Sequence, residues 1–274
     1  MEMFGSDAFS PKEVAARVND FCVIKARLPL LTLWMLGLLA GAFIGLGALY
    51  STLVLSDTTL GFAASRVLSG LCFSLGLLLV VVAGAELFTG NNMLAMAWAD
   101  GCVSGREVLR NWSVVCLANF VGAGGLALLV FLSGHWQMNA GEVGTTYLKI
   151  AAAKVALPFW KAFFLGMLCN ILVCMALWMS YAGRSVTDKF IAIALPISAF
   201  VAAGFEHSIA NMFFFPLALM LKSQDLALPP GADAITLFGM LNNLVPVIAG
   251  NIVGGSVLVA LVYWVIYLRS RPTD

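Results

Sequence analysis

His207 is one of only two histidines in the chain, and it stands in the run Gly204-Phe205-Glu206-His207-Ser208-Ile209-Ala210-Asn211. An imidazole can donate, accept or relay a proton near neutral pH. A second polar knot lies 120 residues earlier, where Ala83-Gly84-Ala85-Glu86 matches Ala203-Gly204-Phe205-Glu206 and Gly90-Asn91 matches Ala210-Asn211, with Thr89 between. Each residue has a plainer reading. A lone histidine can be a packed core group bonded to backbone. A threonine at a helix end can satisfy orphan backbone groups. Glu86 and Glu206 can carry protons, or they can accept from backbone amides freed where a helix breaks, and the structural role is the one favoured for them and for Asn91 and Asn211. His135, beside Trp136 at a helix exit, reads as a surface residue.

The elements that hold these knots are apolar. Of the 274 residues 61% are hydrophobic and 11% charged, against about 25% charged in an average soluble domain. The uncharged runs 28–56, 111–134, 162–183 and 234–268 each suffice for one membrane-spanning helix. The stretches 67–99 and 190–221 would each make a helix of about 50 Å, too long for one straight crossing of a hydrocarbon core of about 30 Å. Each has its glutamate near the middle, so each predicts an interrupted helix, a feature tolerated at membrane depth only where protein buries it or a cavity is lined.

The sequence therefore predicts a single polytopic membrane domain, all-α, over 1–274, with six spans. Ser10-Pro11-Lys12-Glu13 has the form of a capping box and opens an interfacial helix over 11–27 with Val14, Val18, Phe21 and Cys22 on one face. A weaker echo of Asn119-Phe120-Val121-Gly122 in Asn251-Ile252-Val253-Gly254 sets the halves at 28–134 and 149–268, an inverted 3+3 repeat. Counting Lys and Arg puts ten on one side of such a topology and five on the other (Arg66, Lys149, Lys154, Lys161, Lys222), which places both termini in the cytoplasm and 135–157 outside. The net charge of +1 leaves no basic excess for nucleic acid. Six cysteines without a C-x-x-C pair, twelve methionines and 26 glycines form neither a disulfide framework nor a metal or cofactor pattern, and read as packing.

The segment 204–212, with Glu86-Leu87-Phe88-Thr89-Gly90, Leu168-Cys169-Asn170 through Trp178-Met179, and Trp264-Val265-Ile266-Tyr267-Leu268-Arg269, resembles the formate/nitrite transporter family over about residues 10–270. The resemblance implies an aquaporin-like fold with the second and fifth helices broken, a homopentamer in the bacterial inner membrane, and one pore per protomer for formate, nitrite and protons. It implies that Thr89 bonds His207 at the pore centre and that Phe73, Leu77, Val173 and Phe200 form apolar constrictions, which by spacing alone are ordinary core residues. Lys154 matches a vestibule lysine and Asn170 a pore residue, although a loop lysine can be merely solvated and an Asn in a span can bond a neighbouring helix. Hydrosulfide and lactate carriers are also relatives, and a passive channel for the bare anion is as compatible as proton linkage. An intramembrane enzyme has little support, since no nucleophile, metal-ligand set or cofactor motif accompanies the histidine.

Overall fold

Ser10 starts the first helix as its sequence predicts. Its hydroxyl accepts from the Glu13 N–H at 3.4 Å and the Glu13 carboxylate accepts from the Ser10 N–H at 2.7 Å, capping α1 (Pro11–Ala26). Val14, Val18 and Cys22 are buried, whereas Phe21 stays 38% exposed and stacks on Tyr181 with ring centroids 5.1 Å apart. The computed structural model describes residues 8–269, so the cytoplasmic placement expected of 1–7 and 270–274, Arg271 included, lies outside the described residues.

The chain continues through α2 (Leu30–Leu55), α3 (Phe62–Leu79) with a terminal π-helical turn at Val80–Gly84, α4 (Phe88–Asn91), α5 (Leu94–Ala99), α6 (Gly105–Leu132), α7 (Glu142–Val155), α8 (Phe159–Ala182), α9 (Val186–Ala203), α10 (Ser208–Leu221), α11 (Leu237–Ile252), a π-helical stretch at Val253–Leu261 and α12 (Val262–Tyr267). Among the described residues there is no strand. Among the same described residues five helical segments are long and apolar enough to cross a membrane, Leu30–Leu55, Phe62–Gly84, Gly105–Leu132, Phe159–Ala182 and Leu237–Tyr267, and Ser208–Leu221 is a shorter apolar helix. Two details depart from the sequence reading. α6 begins at Gly105 rather than near 111, because the Ser104–Glu107 capping box starts it and Arg106, Glu107 and Arg110 ride on its first turns. The stretch expected as an external segment at 135–157 is mostly helical, and α7 buries Val143, Tyr147, Leu148 and Ala151.

The helices interrupt where expected. Gly84 and Gly204 take φ of +86° and +75°, a left-handed conformation that glycine adopts without strain and that ends a helix. The freed backbone groups are then collected by two asparagines. Asn119 Oδ1 accepts from the Phe88 N–H at 2.9 Å while its Nδ2 donates to the carbonyls of Gly37 and Glu86 at 2.7 and 2.9 Å. Asn251 Oδ1 accepts from the Ser208 N–H at 3.0 Å while its Nδ2 donates to Gly166 and Glu206 at 2.8 and 3.0 Å. Such satisfaction is what lets irregular backbone persist away from water. Three residues after each asparagine a glycine lets helices touch: a Cβ on Gly122 would run into the Leu38 carbonyl oxygen, and one on Gly254 into that of Met167.

Candidate functional site

Each break carries the same buried polar set. On one side Lys25 Nζ lies 2.9 Å from Glu86 Oε1, and Asn91 Nδ2 donates to Glu86 Oε2 at 2.7 Å and to Asn111 Oδ1 at 2.9 Å. On the other, Lys154 Nζ lies 2.8 Å from Glu206 Oε1, and Asn211 Nδ2 donates to Glu206 Oε2 at 2.7 Å and to Asn243 Oδ1 at 2.7 Å. Asn111 and Asn243 return Nδ2 bonds to the carbonyls of Lys25 and Lys154, at 3.0 and 2.9 Å. Both carboxylates are about 95% buried, and each of their oxygens faces a donor. Burial pulls the Lys25 ammonium toward deprotonation, and the Glu86 carboxylate beside it outweighs this, so its pKa rises above the ordinary lysine value. A raised value in the folded state means the pair is complete at neutral pH and fades only as pH climbs through that value.

Two cavities approach the breaks from opposite ends of α3, the first reaching from Arg66 to Phe73 and the second from Val80 to Gly84, about 10 Å apart along the helix at their nearest residues. The first, of about 430 Å³, is lined by Lys154, Glu206, Phe73, Phe200 and His207. The second, of about 380 Å³, is lined by Lys25, Glu86, Leu87, Gly90 and Lys189. Between them His207 Nε2 and Thr89 Oγ1 lie 3.1 Å apart, and both residues are buried. Phe200 stacks on the imidazole at 5.8 Å between centroids, and Phe73 meets the Phe200 ring edge-on at 5.5 Å, so two aromatic rings stand at the bottom of the first cavity.

The hydrogen-bond partners of His207 fix its tautomer. The Ala210 N–H donates to Nδ1 at 3.2 Å as the imidazole caps α10, which requires a lone pair on Nδ1. The proton of the neutral ring therefore sits on Nε2 and points to Thr89 Oγ1. A doubly protonated ring would set two N–H groups against each other at Ala210.

Of the residues singled out from sequence, His207, Thr89, Phe73 and Phe200 come together around one point. Leu77 and Val173 are buried, but neither is in the lining of these two cavities. Asn170 is fully buried and also outside both linings; around its Nδ2 lie the Thr89 carbonyl at 3.1 Å, Asn92 Oδ1 at 2.8 Å and the Asn251 carbonyl at 2.7 Å. That placement holds the Thr89 segment against α8 and α11. Lys154 lines the first cavity, yet its charge is committed to Glu206 and it sits in the last turn of α7. His135 is half-buried against Tyr147, and this burial lowers its pKa. The reading of the sequence passed over Lys25, Asn111, Asn243, Leu87 and Arg66. One signal for the first was present, since Lys25-x-x-Leu28-Pro29 recurs as Lys154-x-x-Leu157-Pro158.

The model of the formate/nitrite transporter family matches residues 12–265. The chain belongs to that family. Formate channel FocA of Escherichia coli K12 is 40% identical, over 97% of this chain and 96% of its own. A probable formate transporter of Methanothermobacter thermautotrophicus is 37% identical over 97% of this chain and all of its own. A solved pentameric formate channel with formate bound superposes with a TM-score of 0.79 at 38% identity, covering 88% of this chain and 98% of that one. A second, an FNT family ion channel, gives 0.82 at 33% identity over 93% and 98%. These relatives are channels and transporters, not enzymes.

Proposed function

We propose that the protein is a channel or transporter for small monovalent weak-acid anions, formate or nitrite, in the bacterial cytoplasmic membrane. It crosses six times, as an inverted 3+3 repeat with the second and fifth helices broken, has both termini in the cytoplasm, and assembles as a homopentamer with one pore in each protomer. The observation that carries this reading is the buried Thr89–His207 contact between two cavities, in a chain whose relatives include formate channels. The paired contacts around Glu86 and Glu206 support the repeat, and they extend its halves back to α1 and α7.

Carrying the bare anion past Phe73 and Phe200 would cost several kcal/mol in lost hydration, whereas the neutral acid passes apolar rings at little cost. His207 supports a proton-linked path. In the tautomer that the Ala210 bond requires, it offers Nε2–H to an oxygen arriving at Thr89. Complete transfer of that proton would leave an imidazolate, so it balances only if Nδ1 takes a proton supplied by bulk water through the cavity that His207 lines, at the expense of the Ala210 bond, which leaves the ring as the other neutral tautomer. Formate and nitrite are the substrates proposed, and hydrosulfide or lactate are the competing ones.

Uptake by liposomes containing the purified protein, followed by stopped flow for formate, nitrite, hydrosulfide and lactate side by side, tests the reading. Formate or nitrite should enter fastest. Rates equal to those of protein-free liposomes for all four anions would refute it.

A further inference from the structure

The cavity on the Lys154 side has four charged side chains in its wall, Arg66, Lys154, Lys161 and Glu206. Lys154 and Glu206 cancel each other at 2.8 Å. Among the described residues no carboxylate comes within ion-pair distance of Arg66 or Lys161. The two free cations differ in how they are held. Lys161 is an exposed ammonium on a flexible stem. Arg66 is half-buried and anchored: its Nε donates to the Ala202 carbonyl at 3.0 Å, and its Nη2 lies over Gly204, where a Cβ would stand 2.8 Å away. Gly204 thus serves the turn twice, by its left-handed backbone and by leaving room for the guanidinium. With only Nε spent, the four Nη hydrogens have no protein acceptor among the described residues. Phe73 is seven residues on from Arg66 along α3, on the same helical face and about 10 Å deeper.

We infer that Arg66 is an anion-docking residue of this cavity, which takes a planar two-oxygen anion between its Nη groups before the anion reaches Phe73, Phe200 and His207. The identity of the anion rests on the transport reading; the docking site rests on the geometry of Arg66. A guanidinium fork matches two oxygens of one plane, whereas an ammonium acts as a point charge. The position 120 residues on from Arg66, where the second half would hold its equivalent, is Val186. Among the described residues the wall of the second cavity holds no arginine, only the ammonium groups of Lys25, paired with Glu86, and Lys189, so the guanidinium fork belongs to the first cavity.

The test is binding, not flux, so that it stands apart from the uptake measurement. Line broadening of ¹³C-formate by the purified whole protein is compared for wild type, Arg66→Gln, Arg66→Lys and Lys161→Gln at low and high salt. Arg66→Gln should weaken formate binding about five-fold or more and Arg66→Lys about two- to three-fold, with Lys161→Gln changing it less than about two-fold. Gln keeps a donor for the Ala202 carbonyl, and Arg66→Lys decides the question should Arg66→Gln fail to assemble. Equal affinity in wild type and both Arg66 variants, an equal loss in Arg66→Gln and Lys161→Gln, or no formate binding by wild type would each overturn the proposal.

Discussion

Lys154 holds a buried carboxylate, and that changes what its removal does. A solvated vestibule lysine would alter only the local anion concentration. Lys154→Gln instead removes the cation paired with Glu206, a side chain about 95% buried, a loss of about 3–5 kcal/mol. Lys154→Gln with Glu206→Gln restores a neutral hydrogen-bonded pair, and thermal unfolding of the detergent-purified protein should show the double variant well above either single one. Additive losses would mean that the two groups do not interact. At this scale His207, Thr89, Glu86 and Glu206 were legible in the sequence because polar residues stand out against an apolar run. Lys25 and Arg66 were not, since each is a basic residue near a helix end until the fold lays it on a break. Leu87 was hidden for another reason: it occupies in the first break the place that His207 holds in the second, so the likeness of the two motifs conceals the asymmetry between the breaks.

The breaks depend on α2, α6, α8 and α11 as much as on their own residues. Asn119 and Asn251 each satisfy three backbone groups, and the glycines one turn further on bring those helices within reach. Gly122→Ala and Gly254→Ala each push a methyl into a backbone carbonyl that cannot move aside, and should cost about 1–3 kcal/mol or more. Gly125→Ala meets nothing within 4 Å in the same helix as Gly122, so its stability should change by less than about 0.5 kcal/mol. Unfolding midpoints of the three variants decide this, and a loss in Gly125→Ala equal to that in Gly122→Ala would contradict the packing described. Sequence spacing located the interrupted helices because their length exceeds a bilayer. It could not show that α7 is a helix, because its buried face and its lysines fall in a short segment without a long apolar run.

Across the whole molecule the basic residues divide by face. Arg17, Lys25, Arg27, Arg110 and Arg184 gather around α1, Arg17 and Arg184 both against the Phe9 ring at 3.9 and 4.1 Å from its centroid, while Arg66, Lys154 and Lys161 share the opposite cavity. With the richer face in the cytoplasm, an impermeant thiol reagent applied to intact cells should modify a cysteine placed at Ala140 and spare one at Arg184. The reverse pattern would invert the topology. The grouping follows from charge counting alone, whereas the meeting of the two breaks at a single hydrogen bond needed the fold. That bond, Thr89 to His207, is where an anion would be neutralised, and the most direct measurement is the pH profile of formate uptake by liposomes containing wild type or His207→Asn, with oligomeric state checked first. If His207 links transport to protons, wild-type flux rises with proton supply and His207→Asn keeps only a leak that does not follow pH. Superimposable profiles from two equally assembled proteins would contradict proton linkage at His207 and leave it a polar lining group of a passive channel.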